Sequence, residues 1–328
     1  MDYINRFETI KNQWQAFKTN PENKRVRIRD AAAKLSVSEV ELLSTSIGES
    51  VNFINFKDFN TFFDDILSLD KIMLLTRSDY VVHEITVETN NISLDSNNLI
   101  FDKTTSQPLL RLSPDDFHYC LSELKEHQGK NLYSFQFFNK YGNSVIKIYL
   151  KGKSEDVFEN IISNYKTNYD YSIQKNQPHN IKQTYDSNNL SIQYEFGSPP
   201  IKESIMFKEF DGSILRTTME ALAKNSISTQ FYGIGPNTVQ YYNGIIKNVL
   251  DYGPWINVID KKFNIHILEN KIISSRLNSF NIKNKNYHSI SFFDENNIHV
   301  MGISSLKEGF DEFNYLLTDI GLLWLSRI

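Results

Sequence analysis

Apolar and polar positions along this chain fall into two rhythms. The opening segment reads as helical until Asn20-Pro21-Glu22 breaks it, and RIRDAAAKL (27–35) then carries strong helix formers. Ser38 stands where an N-cap belongs, ahead of a short helix with Val40, Leu42 and Leu43 apolar. The period then becomes two. KIMLLTR (71–77), YVVHEITVE (80–88), YSFQFF (133–138) and SVIKIYL (144–150) are short, rich in β-branched and aromatic residues, and predict strands. Asn139–Asn143, with Gly142 available for positive φ, predicts the hairpin turn between the last two. Helical spacing returns in 153–165, with Val157, Phe158, Ile161 and Ile162 on one face.

Part of this pattern occurs twice. Phe137-Phe138 recurs as Phe292-Phe293, an offset of 155 residues (the difference between 292 and 137). The same offset pairs Val145 with Val300, Phe158 with Phe313, and Ile161-Ile162 with Leu316-Leu317. Upstream it sets Arg111, in the LLRL run at 109–112, against His266. One offset serving several separate stations points to duplication of a strand–hairpin–helix unit.

Residues 167–204 are rich in Asn, Gln, Ser and Tyr and carry Pro178, Pro199 and Pro200; they read as a polar linker with one strand at 190–196. A helix is predicted over 213–226, and STQFYGIG, TVQYYNGIIKNVL and WINVID follow as strands. The predicted architecture is α+β: two tandem structural repeats, each a large antiparallel β-sheet flanked by helices. The first repeat, with a helical cap, spans 1–166, and the second spans 205–328.

Composition narrows the function. At 328 residues the chain suits two domains at roughly 150 residues each. Lys and Arg number 35 against 39 Asp and Glu, a net charge of −4, which removes the unspecific attraction nucleic-acid binders depend on. The acidic helix carrying Glu39 and Glu41 also argues against a helix-turn-helix reader. The lone Cys120 fits a reducing compartment. No apolar leader is visible, and no run of about 18 apolar residues occurs, so a cytoplasmic protein without membrane insertion is expected.

The bare residues name no reaction. The seven histidines form no HExxH, one cysteine cannot build a thiolate zinc cluster, and no GxSxG is present. Gly233-Ile234-Gly235 lacks the rest of a phosphate loop. Cys120 has only His118 near it in sequence, and a buried thiol is the default reading.

MLLTRSDYVVHE (73–84) and YGPWINVIDKKFNIHIL (252–268) make the chain recognisable. With RIRDAAAKLSVSEVELL, LLRL, FQFFNKYGNSVIKIYL and VQYYNGIIKNV they lie in order across nearly the whole chain. The chain resembles the bacterial cytoplasmic haem-utilisation family, the haemin-degrading and haem-trafficking proteins of HemS/ChuS type. The resemblance implies two repeats with large antiparallel sheets. It also implies haem, or a related tetrapyrrole, in a cleft between sheet and helices. Such a site needs an apolar slot, an axial iron ligand and cations for the propionates.

Carried over residue by residue, the resemblance places Arg111 at the haem. The family's axial histidine falls within 196–212, which contains none; the family's basic pair falls at Ser279-Phe280 and its tyrosine at Met301. Substitute ligands are His266, opposite Arg111 in the repeat, His118, beside Phe117 and Tyr119, and His83, or a tyrosinate from the 17 tyrosines. Each histidine also has a plain structural reading, and sequence leaves the choice open. Three functions follow from the resemblance: a haem-binding protein in haem uptake, trafficking or iron acquisition; a haem-degrading enzyme using an external electron donor; or an interaction protein that kept the scaffold and lost the site. Oligomeric state is not readable.

Overall fold

The computed structural model describes residues 3–24, 26–95, 99–113, 115, 117–168, 173, 205–235, 238–282, 285–306 and 309–323. The polar linker, and the strand expected at 190–196, lie outside the described residues apart from 167, 168 and 173. The chain is α+β, with large antiparallel sheets flanked by helices. It packs as two compact units. One comprises 1–74, 88–90 and 113–183; the other comprises 75–87, 91–112 and 184–328.

In the first unit, strands run in the order Lys166–Thr167, Val51–Ile54, Tyr119–His127, Lys130–Phe138, Ser144–Leu150. Alternation sorts their side chains. Phe135 and Phe137 face the helices Phe59–Ile66 and Glu155–Tyr165, with Phe135 stacked on Phe158 at 4.2 Å and edge-on to Phe62 at 5.2 Å. Lys147 points the other way and pairs with Glu39 at 2.6 Å, both buried. Glu39 belongs to the short helix Glu39–Ser44. Ser38 closes its N-terminus in a capping box: Ser38 Oγ accepts from the Glu41 amide, and the Glu41 carboxylate accepts from the Ser38 amide at 2.8 Å. Glu41 then binds Arg6 at 2.8 Å. The two carboxylates that argued against a DNA-reading helix therefore face inward, and this helix caps the sheet.

In the second unit, nine strands run in the order Ile205–Asp211, Ile272–Ile282, Lys285–Asp294, His299–Ser305, Thr229–Gly235, Thr238–Gly244, Pro108–Leu112, Leu99–Asp102, Ile92–Leu94. Val81–Glu88, Phe263–Leu268, Trp255–Ile259 and Val249–Tyr252 form a second run. Helices Ile214–Asn225 and Phe310–Asp319 complete the unit. The core joins Phe231, Phe263, Ile265, Ile290, Phe292, Phe313 and Leu317, and Tyr242 stacks flat on Phe263 at 4.0 Å. TVQYYNGIIKNVL is not one strand: it stops at Gly244 and restarts at Val249, because Ile246 turns into this core.

The duplication is visible in backbone detail. The first hairpin has a register shift between Phe137 and Phe138, where the partner strand skips from Ile146 to Ser144. The second has the same shift between Phe292 and Phe293, opposite Met301 and His299. All four positions keep the 155-residue offset, so a β-bulge was copied with its sequence. The copies also trade strands. Arg111 of the first repeat is in register with Val239 of the second, and His266 of the second with Val82 of the first.

Candidate functional site

Side chains two apart on a strand share a face, and so do register partners on adjacent strands. Arg111, its partner Val239, and Tyr241 therefore point the same way, and Tyr241 lies directly opposite Tyr232. Tyr232, Ile234, Val239 and Tyr241 form a small buried cluster on that face. Arg111 is half-buried at its margin, with its guanidinium near the Tyr241 phenol. Burial pushes that phenol up to about 12, while the arginine charge acts in the opposite direction.

Polar groups continue along the face. Tyr232 Oη lies 3.4 Å from Ser291 Oγ and 3.5 Å from His299 Nε2. Ser291 Oγ accepts from Asn278 Nδ2 at 3.1 Å. His299 Nε2 donates to the Met301 carbonyl at 3.0 Å, its ring stacks on Phe293, and Arg276 lies 4.2 Å over that phenylalanine. Desolvation holds His299 down at about 4, with Arg276 adding to the effect, so the imidazole is neutral at ordinary pH. Gly302 makes room for Tyr232: a Cβ there would enter the phenol ring.

The residues singled out in the sequence do not converge. Leu110 pairs with Gln240 on the opposite face from Arg111, and that face looks into the core. His83 lies there, edge-on to Phe263 at 5.0 Å and packed against Gly233. Neither of its ring nitrogens makes a hydrogen bond of good geometry, with Gln240 the polar side chain beside it; burial drives it down to about 3. Thr76 Oγ1 donates to the side-chain oxygen Oε1 of Gln240 at 2.7 Å. His266 lies on a strand neighbouring that of His83 but on the other side, since Ile265 is the register partner of His83. His266 is half-buried, and its Nδ1 donates to Asn257 at 2.6 Å. Within this unit, then, neither His83 nor His266 shares the Arg111 face. His118 belongs to the first unit, exposed just before the strand Tyr119–His127. Cys120 is buried and its thiol is pushed well up, which makes it unreactive. Met301, where the resemblance sets a tyrosine, is buried core.

Sequence reading missed Tyr241, Tyr232, His299 and Arg276. Alternation within VQYYNG already sets Tyr241 beside Val239, but nothing local shows that Arg111 comes to lie next to them. A separate cavity of about 420 Å³ in the first unit is lined by Lys57, Asp58, Tyr165 and Lys166 among others. Two of its polar groups have structural roles: Asp58 caps a helix, and Tyr165 donates to Asp65 at 2.5 Å.

A family model described as the haemin-degrading HemS/ChuX domain matches residues 36–165 and 206–311. The hemin transport proteins HmuS of Yersinia pestis and HemS of Yersinia enterocolitica are each 21% identical over 274 residues, covering 75% of this chain and 78% of the relative. Apo-PhuS, a heme-binding protein from Pseudomonas aeruginosa, superposes with a TM-score of 0.76 at 18% identity, over 95% of this chain and 98% of that one. The heme degrading enzyme ChuS of Escherichia coli O157:H7 gives 0.76 at 14% identity, over 95% and 99%. These structural likenesses establish the shared two-repeat fold.

Proposed function

The chain belongs to the haemin-degrading HemS/ChuX family, and on that premise we propose that it is a cytoplasmic haem-binding protein serving haem uptake, trafficking or iron acquisition. One observation carries this reading: the guanidinium of Arg111, the residue transferred from the family, stands on a sheet face beside a buried tyrosine cluster. A cation next to apolar and phenolic surface suits a flat, largely apolar dianion. Arg111 would bind or orient the ligand, Tyr232 and Tyr241 would supply flat surface and hydroxyls, and burial would exclude water. The division into duplicated copies at 1–166 and 205–328 belongs to the same reading.

A second reading is oxidative degradation, favoured by the description of the matching family and by the degrading activity named for the ChuS relative. Haem would then supply the oxygen chemistry, with an external electron donor. Titrating haem into the purified protein tests the first reading: a saturable, red-shifted Soret band at one equivalent is expected. A spectrum identical to free haem overturns both readings and leaves a scaffold that has lost its site. Ascorbate under air, with catalase present, then separates them. An unchanged spectrum marks a carrier, and loss of the Soret band with a bilin-type product marks an enzyme.

A further inference from the structure

The two copies finish differently, and the difference leaves a polar cavity in the first unit. Beyond the helices Glu155–Tyr165 and Phe310–Asp319, the 155-residue offset matches Tyr165, Lys166 and Thr167 with Ile320, Gly321 and Leu322. In the second copy Gly321 takes a positive φ of 76°, the chain doubles back, and the Leu322 amide donates to the Leu317 carbonyl at 2.8 Å. Leu322 thereby enters the core, and Ile320 packs against that core. In the first copy Lys166 stays extended, and Lys166–Thr167 runs along Val51–Ile54 as an edge strand.

The facing wall differs in the same sense. A bulge between Met206 and Lys208 adds one residue to the second copy. Past it, Ile54 opposite Cys120 matches Phe210 opposite Ser275, an offset of 156 (the difference between 210 and 54). Asp58 therefore corresponds to Ile214, which packs against the core of its own copy. Where the second copy has Ile214, Ile320 and Leu322, the first has Asp58, Tyr165 and Thr167. This corner of the first unit is the cavity of about 420 Å³, a size that admits a small organic molecule.

Its lining has a defined chemistry. Lys57 enters from the loop before the helix Phe59–Ile66, and Lys166 enters from the edge strand. Neither lysine makes an ion pair among the described residues. Asp58 is committed to the helix it caps, its Oδ2 accepting from the Thr61 amide at 2.8 Å and from the Thr61 hydroxyl at 2.6 Å. Two ammonium groups thus face one engaged carboxylate. Asn55, Asn164 and Thr167 add side chains that both donate and accept hydrogen bonds. Point charges combined with amides and a hydroxyl suit a ligand that carries anionic groups and hydroxyls.

We propose that this cavity binds a small hydroxylated organic anion. Lys57 and Lys166 meet its carboxylate or phosphate groups, and Asn55, Asn164 and Thr167 meet its hydroxyls. The first copy builds the site from its own residues, and haem takes no part in it.

Isothermal titration calorimetry of the whole chain at low salt tests this, with citrate and β-glycerophosphate as probes. Saturable binding of at least one probe at one equivalent is expected, with Kd of about 1 mM or tighter. Binding of citrate alone identifies carboxylate as the recognised group, and binding of β-glycerophosphate alone identifies phosphate. Lys57→Gln and Lys166→Gln should each weaken binding about tenfold through loss of a charge-assisted contact. Asn164→Trp, which fills the cavity without removing a charge, should weaken it likewise. Unchanged affinity in any of these variants overturns the site, and so does the absence of saturable binding by both probes. Inorganic phosphate that binds as tightly as either probe overturns the ligand class. A second measurement needs no variant: the bound probe should protect Lys57 and Lys166 of the wild type, but not exposed Lys151, from acetylation read by mass spectrometry. Equal modification with and without probe overturns the proposal. Haem is absent from both experiments, so their failure leaves the haem-binding reading intact.

Discussion

Arg111 and Val239 are cross-strand neighbours although they come from different copies of the duplicated unit. The exchange is reciprocal, since His266 of the second copy pairs with Val82 of the first. Its functional consequence is that an arginine encoded in the first repeat meets tyrosines encoded in the second. A face that neither copy could build alone results.

Replacing Arg111 tests that face. Arg111→Ala should weaken haem binding by about tenfold or more, as expected for loss of a charge-assisted contact. His127→Ala, at the exposed end of the strand Tyr119–His127, should leave affinity unchanged. Spectroscopic titration of both variants checks this, and equal affinities would remove Arg111 from the site.

Gly302 is required by its neighbour rather than by its own backbone. An alanine methyl there would occupy the space of the Tyr232 ring. Gly302→Ala should therefore destabilise by about 1–3 kcal/mol through overpacking. In the double variant Gly302→Ala/Tyr232→Ala the two losses should fall short of additivity. Urea denaturation of the three proteins measures the coupling.

Acid should act through His83. Its folded-state value, pushed down to about 3 by burial, lies below the ordinary 6.5. The unfolded chain therefore binds a proton that the folded chain refuses, so stability rises with pH through this window. The contribution is fully present above 6.5 and is lost progressively as pH falls from there toward about 3. His299, held down at about 4, adds to the same limb. His83→Gln should flatten the fall in melting temperature between about pH 7 and about pH 5. An unaltered slope would show that other groups control acid sensitivity.

The buried pair Lys147–Glu39 should behave asymmetrically. Both side chains are withdrawn from water and meet at 2.6 Å. Lys147→Met leaves an uncompensated carboxylate and should cost about 3–5 kcal/mol, whereas Lys147→Met/Glu39→Leu should recover most of that loss. A double variant no more stable than the single one would contradict the desolvation account.

Much of this was legible in the sequence. The capping residue Ser38 forms the capping box, the helix predicted over 213–226 spans Ile214–Asn225, and the repeated Phe-Phe pairs mark the same bulge in both copies. Arg111 could be singled out, but its surroundings could not. The three histidines offered as ligands were chosen by residue type and by repeat position, and neither says which side of a sheet a side chain faces. His83 and His266 illustrate this: they occupy neighbouring strands, yet one points into the core and the other away from it.

Local chemistry is what the sequence determined by itself. Helix periodicity, caps, turn residues, strand alternation and the 155-residue recurrence depend on residues close together in the chain or on direct repetition. Tertiary structure decided which strand lies beside which. Period-two alternation divides a strand's side chains into two sets, but only long-range pairing chooses the partner strand and the register that aligns one set with another. Tyr241 thus appears in the sequence as one tyrosine of 17, and the exchange of a strand between repeats places it against Arg111.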